Sequence, residues 1–165
     1  MRGVRRDAQF EAAFAELYPR ARRLASRIVG RPAVADDIAA EALARAFADW
    51  KRLQAVDYLD AWVLRVTTNL ALNVVKRKEV LVDAPPPTSP EDAAAVRLGL
   101  VAALLALPRR QREAVALYYL GDMSEADVGR ALGIAPGTVK THVHRGLAAL
   151  RAQLDGEEDS IAFAV

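Results

Sequence analysis

Four prolines in six residues, Pro85, Pro86, Pro87 and Pro90, divide this chain, because a ring-locked φ and a missing N–H forbid a helix through them. On both sides apolar residues recur at three- and four-residue intervals, the period of helices, and no stretch alternates as a strand would. The chain is therefore expected to be all-α. Two small helical domains, 1–79 and 93–154, would be joined by a Pro-rich linker at 80–92 and followed by an acidic tail at 155–165. Proline-rich chain is extended at about 3.1 Å per residue, so this linker can span on the order of 40 Å.

Charge follows the same division. Residues 1–79 hold 15 Lys and Arg against 10 Asp and Glu, a net +5, and residues 93–154 hold 8 against 4, a net +4. The linker carries −3 and the tail −4. Two basic modules favour a polyanionic partner, although +5 is also ordinary for the solubility of a small domain. The chain has no Cys, which rules out disulfides and Cys-ligated metal sites. No run approaches the roughly 18 apolar residues of a membrane span, and the N-terminus lacks the apolar core of a signal peptide. A cytoplasmic protein without membrane insertion is expected. No nucleophile–base pair, metal cluster or phosphate loop is visible, so neither catalytic residues nor a cofactor or metal are expected.

Before the linker, residues 10–29 form an amphipathic segment with Phe10, Phe14, Leu17, Leu24 and Ile28 inward, and the basic residues 1–6 are expected to fray. Arg31-Pro32 ends it. Residues 33–50 form a second segment, with Ile38, Ala42, Leu43, Ala46, Phe47 and Trp50 inward. Asp36 and Asp37 fall in its first turn, where acidic residues suit the helix dipole. With Glu41 they make an acidic ridge, partly paired internally by Arg45 at i+4 from Glu41. With no His nearby, a docking surface for a basic partner fits this ridge better than a catalytic dyad.

After a loop at 51–56, residues 57–78 form a third segment with Leu59, Val63, Val66, Leu70 and Val74 as its buried stripe. Arg65, Asn69, Asn73 and Lys76 lie along one flank, with Arg77 and Lys78 at the end. Asn is a mediocre helix former, and its carboxamide suits base edges as Lys and Arg suit phosphates. The same basic end would also complement a helix dipole, and the residues alone leave both readings open. Trp62 fits a buried anchor better than a stacking platform.

Beyond the linker come helices over 93–107 and 108–120, then a helix-turn-helix at 124–145. Ser124 suits an N-cap, and Asp127 stands where a capping-box partner belongs, one methylene shorter than Glu. Gly133 supplies the stop and Pro136 the first turn of the next helix. There Val139, Val143, Leu147, Leu150 and Leu154 make one buried stripe. Thr138, Thr141, His142 and Arg145 point away from it, flanked by Lys140 and His144. A helix of this kind fits the major groove with its N-terminal residues on base edges, although helix-turn-helix spacing also occurs in plain bundles.

In their order these parts resemble the extracytoplasmic-function sigma factors, small bacterial specificity subunits of RNA polymerase that keep regions 2 and 4 and lack region 3. Residues 35–50, Ala-Asp-Asp-Ile-Ala-Ala-Glu-Ala-Leu onward, are similar to the family's clamp-binding segment. Residues 61–71, Ala-Trp-Val-Leu-Arg-Val-Thr-Thr-Asn-Leu-Ala, are similar to its promoter-melting and −10 reading helix. Residues 107–150, including Leu107-Pro108-Arg109-Arg110-Gln111-Arg112-Glu113 and Gly137-Thr138-Val139-Lys140, are similar to its −35 reading domain.

The resemblance implies a sigma factor, a DNA-binding transcription regulator, that binds core RNA polymerase and directs promoter-specific transcription initiation. It implies core contacts at Asp36, Asp37 and Glu41, and −10 contacts at Arg65, Asn69, Asn73, Lys76 and Arg77 with the loop at 51–56. It places −35 contacts at Thr138, Lys140, Thr141, His142, His144 and Arg145. An anti-sigma factor is a further implied partner, a nucleoid-associated bacterial location follows, and no C-terminal sensory domain is expected.

Four positions depart from the family pattern: Ala40 replaces the usual Gln of the clamp segment, Ala135 replaces a Ser whose cap is worth about 1 kcal/mol, and His142 and His144 stand where the family often has Arg or other residues, so the preferred −35 sequence does not carry over. A plain helix-turn-helix repressor and a protein-binding helical adaptor are the rival classes.

Overall fold

The computed structural model describes the backbone of residues 2–79 and 91–162, and side chains for 8–77 and 94–154. Every regular element among the described residues is helical. α1 spans Arg2–Val29, α2 Pro32–Ala48, α3 is the single turn Trp50–Leu53, and α4 spans Leu59–Glu79. α5 follows at Glu91–Ala106, α6 at Arg109–Val115 running into a π turn at Ala116–Leu120, then α7 at Glu125–Leu132 and α8 at Pro136–Ala162. The proline-rich stretch itself, 80–90, lies outside the described residues.

α1, α2 and α4 pack on one another. Small residues line the α1–α2 contact: Ala21, Ala35, Ala39, Ala42 and Ala46 are buried, which lets the backbones approach closely. Leu17, Leu43, Leu53 and Val63 complete this first core. Phe10 and Phe14 are less enclosed than the sequence implies. Phe10 lies 4.7 Å from the Phe47 ring and edge-on to Trp50 at 5.4 Å, and Phe14 and Phe47 stay 38% exposed. These rings close one end of the first domain, where an aromatic body can stay partly wet.

In the second domain α6 and α7 pack against α8. Leu104, Leu107, Val115 and Leu150 form a satellite core. The largest cluster belongs to neither half alone. It joins Leu24, Ile28, Leu64, Leu72 and Val75 to Val101, Leu117, Met123, Val128, Leu132 and Val139. The two domains are therefore docked through continuous apolar contact, with α4 against α5, α6, the π turn and α7, and α1 against α5 and the π turn.

Several boundaries differ from expectation. α1 starts at Arg2, so the basic N-terminus continues the helix instead of fraying. α2 starts at Pro32, whose missing N–H costs nothing there, which leaves its first turn without acidic residues and moves Asp36 and Asp37 one turn in. The loop at 51–56 begins as the helical turn α3. α5 takes in Glu91 and Asp92, the last two residues assigned to the linker, because a helix can begin directly after Pro90. α8 continues to Ala162, so the backbone of 155–162 is helix and not a separate tail.

Candidate nucleic-acid interface

The helix-turn-helix forms as its residues dictate. The Asp127 N–H donates to Ser124 Oγ at 3.1 Å, capping α7. The shorter Asp side chain does not complete the box on the backbone; its carboxylate instead accepts the Ser124 hydroxyl at 2.6 Å and pairs with Arg130. The Ser124 hydrogen bond and the Arg130 guanidinium hold the Asp127 carboxyl below its ordinary range. Gly133 ends α7 at φ +68°, a left-handed geometry that costs glycine nothing.

α8 then presents its N-terminal half to solvent. Val139 and Val143 are buried, while Thr138, Lys140, Thr141, His144 and Arg145 are exposed. The Thr141 hydroxyl donates back to the Gly137 carbonyl at 3.1 Å. His142 differs from expectation: it is half-buried, and its Nδ1 is buried without a hydrogen bond. Its place beside Val139 and Val143 turns part of the ring into the domain. The stripe also thins at its end, where Leu154 is 39% exposed.

The row on α4 is split. Asn73, Lys76 and Arg77 are exposed. Arg65 and Asn69 instead face the second domain. Arg65 Nη1 donates to the Ala131 carbonyl at 3.1 Å, and its Nη2 lies 3.7 Å from Glu113 Oε1. Asn69 Nδ2 donates to the same oxygen at 3.5 Å. Asn69, Leu72, Asn73 and Lys76 of α4 with Leu105 and Arg112 border a cavity of about 190 Å³ between the domains. α4 is also more buried than one stripe implies. Ala61, Leu64, Ala71, Leu72 and Val75 form a second apolar face, and the enclosed Thr67 and Thr68 hydroxyls donate to the carbonyls of Val63 and Leu64. Trp62 is half-buried against the first core, as an anchor.

The acidic ridge is divided as well. Asp36 turns toward α1, paired with Arg22 and accepting the Tyr18 hydroxyl at 3.0 Å. The Arg22 hydrogen bond lowers its pKa, while burial and then the bond to Asp36 raise that of Tyr18. Glu41 accepts from Arg45 at 2.8 Å, the expected i+4 pair. Asp37 and Glu41 remain exposed on one face, and Asp37 forms no ion pair among the described residues. In the loop, Lys51 and Arg52 are exposed, Arg52 paired with Asp49.

The sequence reading missed Glu113. It is 1% exposed, ringed by Arg65, Arg109 and Arg110 at 3.3–3.7 Å. Its i+4 spacing from Arg109 reads as a surface ion pair. The run of apolar residues on both sides, Leu104 to Leu107 and Ala114 to Leu117, is the signal that it lies inside. Among the described residues no group of three or more His, Cys, Asp and Glu is placed to hold a metal, and no helix is long and apolar enough to cross a membrane.

Comparison with known proteins gives two family matches. Residues 13–80 match Sigma-70 region 2, and residues 97–150 match Sigma-70 region 4. The chain is 31% identical over 156 residues to the ECF RNA polymerase sigma factor SigW of Bacillus subtilis, covering 80% of this chain and 81% of that one. It is 35% identical over 138 residues to the RNA polymerase sigma-E factor of Streptomyces coelicolor, covering 80% and 78%. Its fold is similar to the sigma factor RpoE of Bartonella quintana, solved in complex with the anti-sigma factor NepR. That likeness has a TM-score of 0.56 at 23% identity, over 89% of this chain and 97% of the other.

Proposed function

This chain belongs to the ECF RNA polymerase sigma factors, which bind core RNA polymerase and direct promoter-specific transcription initiation, and we propose how its residues divide that work. Residues 1–79 act as region 2 and residues 93–154 as region 4. Asp37 and Glu41, with Asp36 behind them, meet the polymerase clamp as an exposed acidic pair suited to a basic surface. Asn73, Lys76 and Arg77, joined by Arg65 and Asn69 once these are uncovered, and the loop at 51–56 handle the −10 element. Carboxamides can hydrogen-bond an extruded base, whose unstacking costs a few kcal/mol, while the cations hold phosphates.

Thr138, Lys140, Thr141, His144 and Arg145 read the −35 element, with His142 contributing from its edge. The observation that carries this reading is the bare N-terminal half of α8, held at the surface by the buried Val139 and Val143. The chain acts in the bacterial cytoplasm at the nucleoid, performs no catalysis itself, and takes an anti-sigma factor as a partner, just as RpoE of Bartonella quintana was solved in complex with the anti-sigma factor NepR.

The test is transcription in vitro. Core polymerase with this chain should initiate at promoters that core polymerase alone ignores. A DNase footprint by the chain alone, with no gain in transcription on adding core polymerase, would instead mark a repressor.

A further inference from the structure

Lys76 of α4 and Arg112 of α6 are two cations that line one cavity, and no carboxylate among the described residues lines it with them. The cavity measures about 190 Å³, the room of roughly six water molecules, on the seam where α4 meets the second domain. We infer that this cavity is a binding site for a small phosphorylated metabolite with a short, hydroxyl-bearing carbon chain.

Each wall suits one part of such a ligand. Arg112 Nη1 donates to the Leu105 carbonyl at 2.9 Å, which fixes the guanidinium and leaves its other N–H groups without an acceptor among the described residues. A planar guanidinium grips phosphate oxygens in pairs. The Lys76 ammonium, exposed at the mouth and in no ion pair among the described residues, adds a point charge. Asn69 Nδ2 is committed to Glu113 Oε1 at 3.5 Å, so the carboxamide has its oxygen left to accept from a hydroxyl. Asn73, also at the mouth, offers both a donor and an acceptor. Leu72, 3% exposed, and the half-buried Leu105 give the carbon chain an apolar surface.

Charge selects an anion over a neutral ligand. Glu113 lies next to the cavity through Asn69, but Arg65, Arg109 and Arg110 already face it at 3.3–3.7 Å, so it does not neutralise Lys76 or Arg112. Two cations on one small, half-buried cavity repel, and a phosphate dianion relieves that repulsion. Size selects a small anion. The volume is below the roughly 300 Å³ at which drug-sized ligands begin to fit, which excludes a nucleotide. A DNA strand carries the same phosphate group but reaches only Asn73 and Lys76 at the mouth.

Asn69, Asn73 and Lys76 are also assigned above to the −10 element. The site itself does not depend on that assignment. The regulatory consequence does: where both hold, metabolite and promoter strand compete for the same groups, and the metabolite lowers open-complex formation.

Titration calorimetry of the full chain with glycerol 3-phosphate should show one site with a Kd of about 0.1 mM, the strength of a few charge-assisted contacts to a small ligand. Inorganic phosphate should bind about 10-fold more weakly, and glycerol not at all. Lys76→Gln and Arg112→Gln should each weaken glycerol 3-phosphate by about 10-fold or more. Lys76 is exposed, so Lys76→Gln decides the matter if Arg112→Gln does not fold. No saturable binding up to about 10 mM, or full-strength binding by either folded variant, overturns the site. A fluorescent random single-stranded oligonucleotide at low salt separates this site from the −10 reading. Its displacement by glycerol 3-phosphate supports both. Glycerol 3-phosphate that binds and displaces nothing keeps the cavity and overturns the assignment of Asn73 and Lys76 to DNA. An oligonucleotide that binds a chain indifferent to glycerol 3-phosphate keeps that assignment and overturns the cavity.

Discussion

α4 and α8 carry nearly the same sequence signal, a polar and basic row beside an apolar stripe, and the fold treats them differently. α8 packs through one stripe, headed by Val139 and Val143, so its row of Thr138, Lys140, Thr141, His144 and Arg145 stands in solvent. α4 packs through two. Leu59, Val63 and Val66 meet the first core, and Ala61, Leu64, Leu72 and Val75 meet the second domain, which leaves its row on the seam. Half of that row is engaged by Glu113 and the Ala131 carbonyl. A polar row therefore reports an available surface only when its helix has a single apolar side.

The largest effect should fall on both helices at once. Asp37→Lys with Glu41→Lys puts like charges on a docking surface, a change that costs several kcal/mol, and core affinity should fall by about 100-fold or more. Both −10 and −35 dependence would then disappear together. Unchanged affinity in the folded double variant would remove the ridge from the account.

The exposed helix comes next. Arg145→Ala should cost about 1–3 kcal/mol and relax preference at one base if Arg145 holds a guanine, or weaken all promoters alike if it holds a phosphate. Competition among variant −35 sequences separates these outcomes, and no change in either quantity would break the comparison on the α8 side. On the masked helix, Asn69→Ala should lower open-complex formation by roughly 10-fold, about the cost of one lost base contact, with core binding intact. Permanganate reactivity of the melted strand reads this directly; equal reactivity would show that the seam side of α4 does not touch DNA.

The smallest effect concerns the fold that presents α8. Asp127 has its folded pKa depressed by Ser124 and Arg130, so its contribution is present above the unfolded carboxyl pKa of about 3.9 and is lost as pH falls through the lower folded value. Asp127→Asn should cost about 0.5–1 kcal/mol at pH 7, and urea unfolding should show that difference shrinking as pH is lowered toward 3. A difference independent of pH would assign the effect to packing.

Most of the helices could be read from spacing, because 3.6-residue periodicity, Ser124 and Gly133 act locally. The docking of the domains could not. The second stripe of α4 contains Ala61 and Ala71, small residues that mark burial weakly in sequence. Glu113 sits among three arginines and reads as a solvated ion pair until its neighbours on another domain are known. The π turn at Ala116–Leu120 has the composition of an ordinary helix, so the aim of the Leu120 carbonyl at Arg27 had no local signal. The ridge was legible in composition, but the turn of Asp36 toward Arg22 depends on how α1 crosses α2.

The division of labour between the two helices is tested most directly by selecting transcribed templates from a random promoter library with core polymerase and three proteins: wild type, Asn69→Ala and Arg145→Ala. The selected wild-type templates should share two short sequence blocks at a fixed spacing. Asn69→Ala should lose preference in the downstream block alone, and Arg145→Ala should lose preference or occupancy at the upstream block alone. A single shared block, or an Arg145→Ala protein whose altered preference lies downstream, would contradict it.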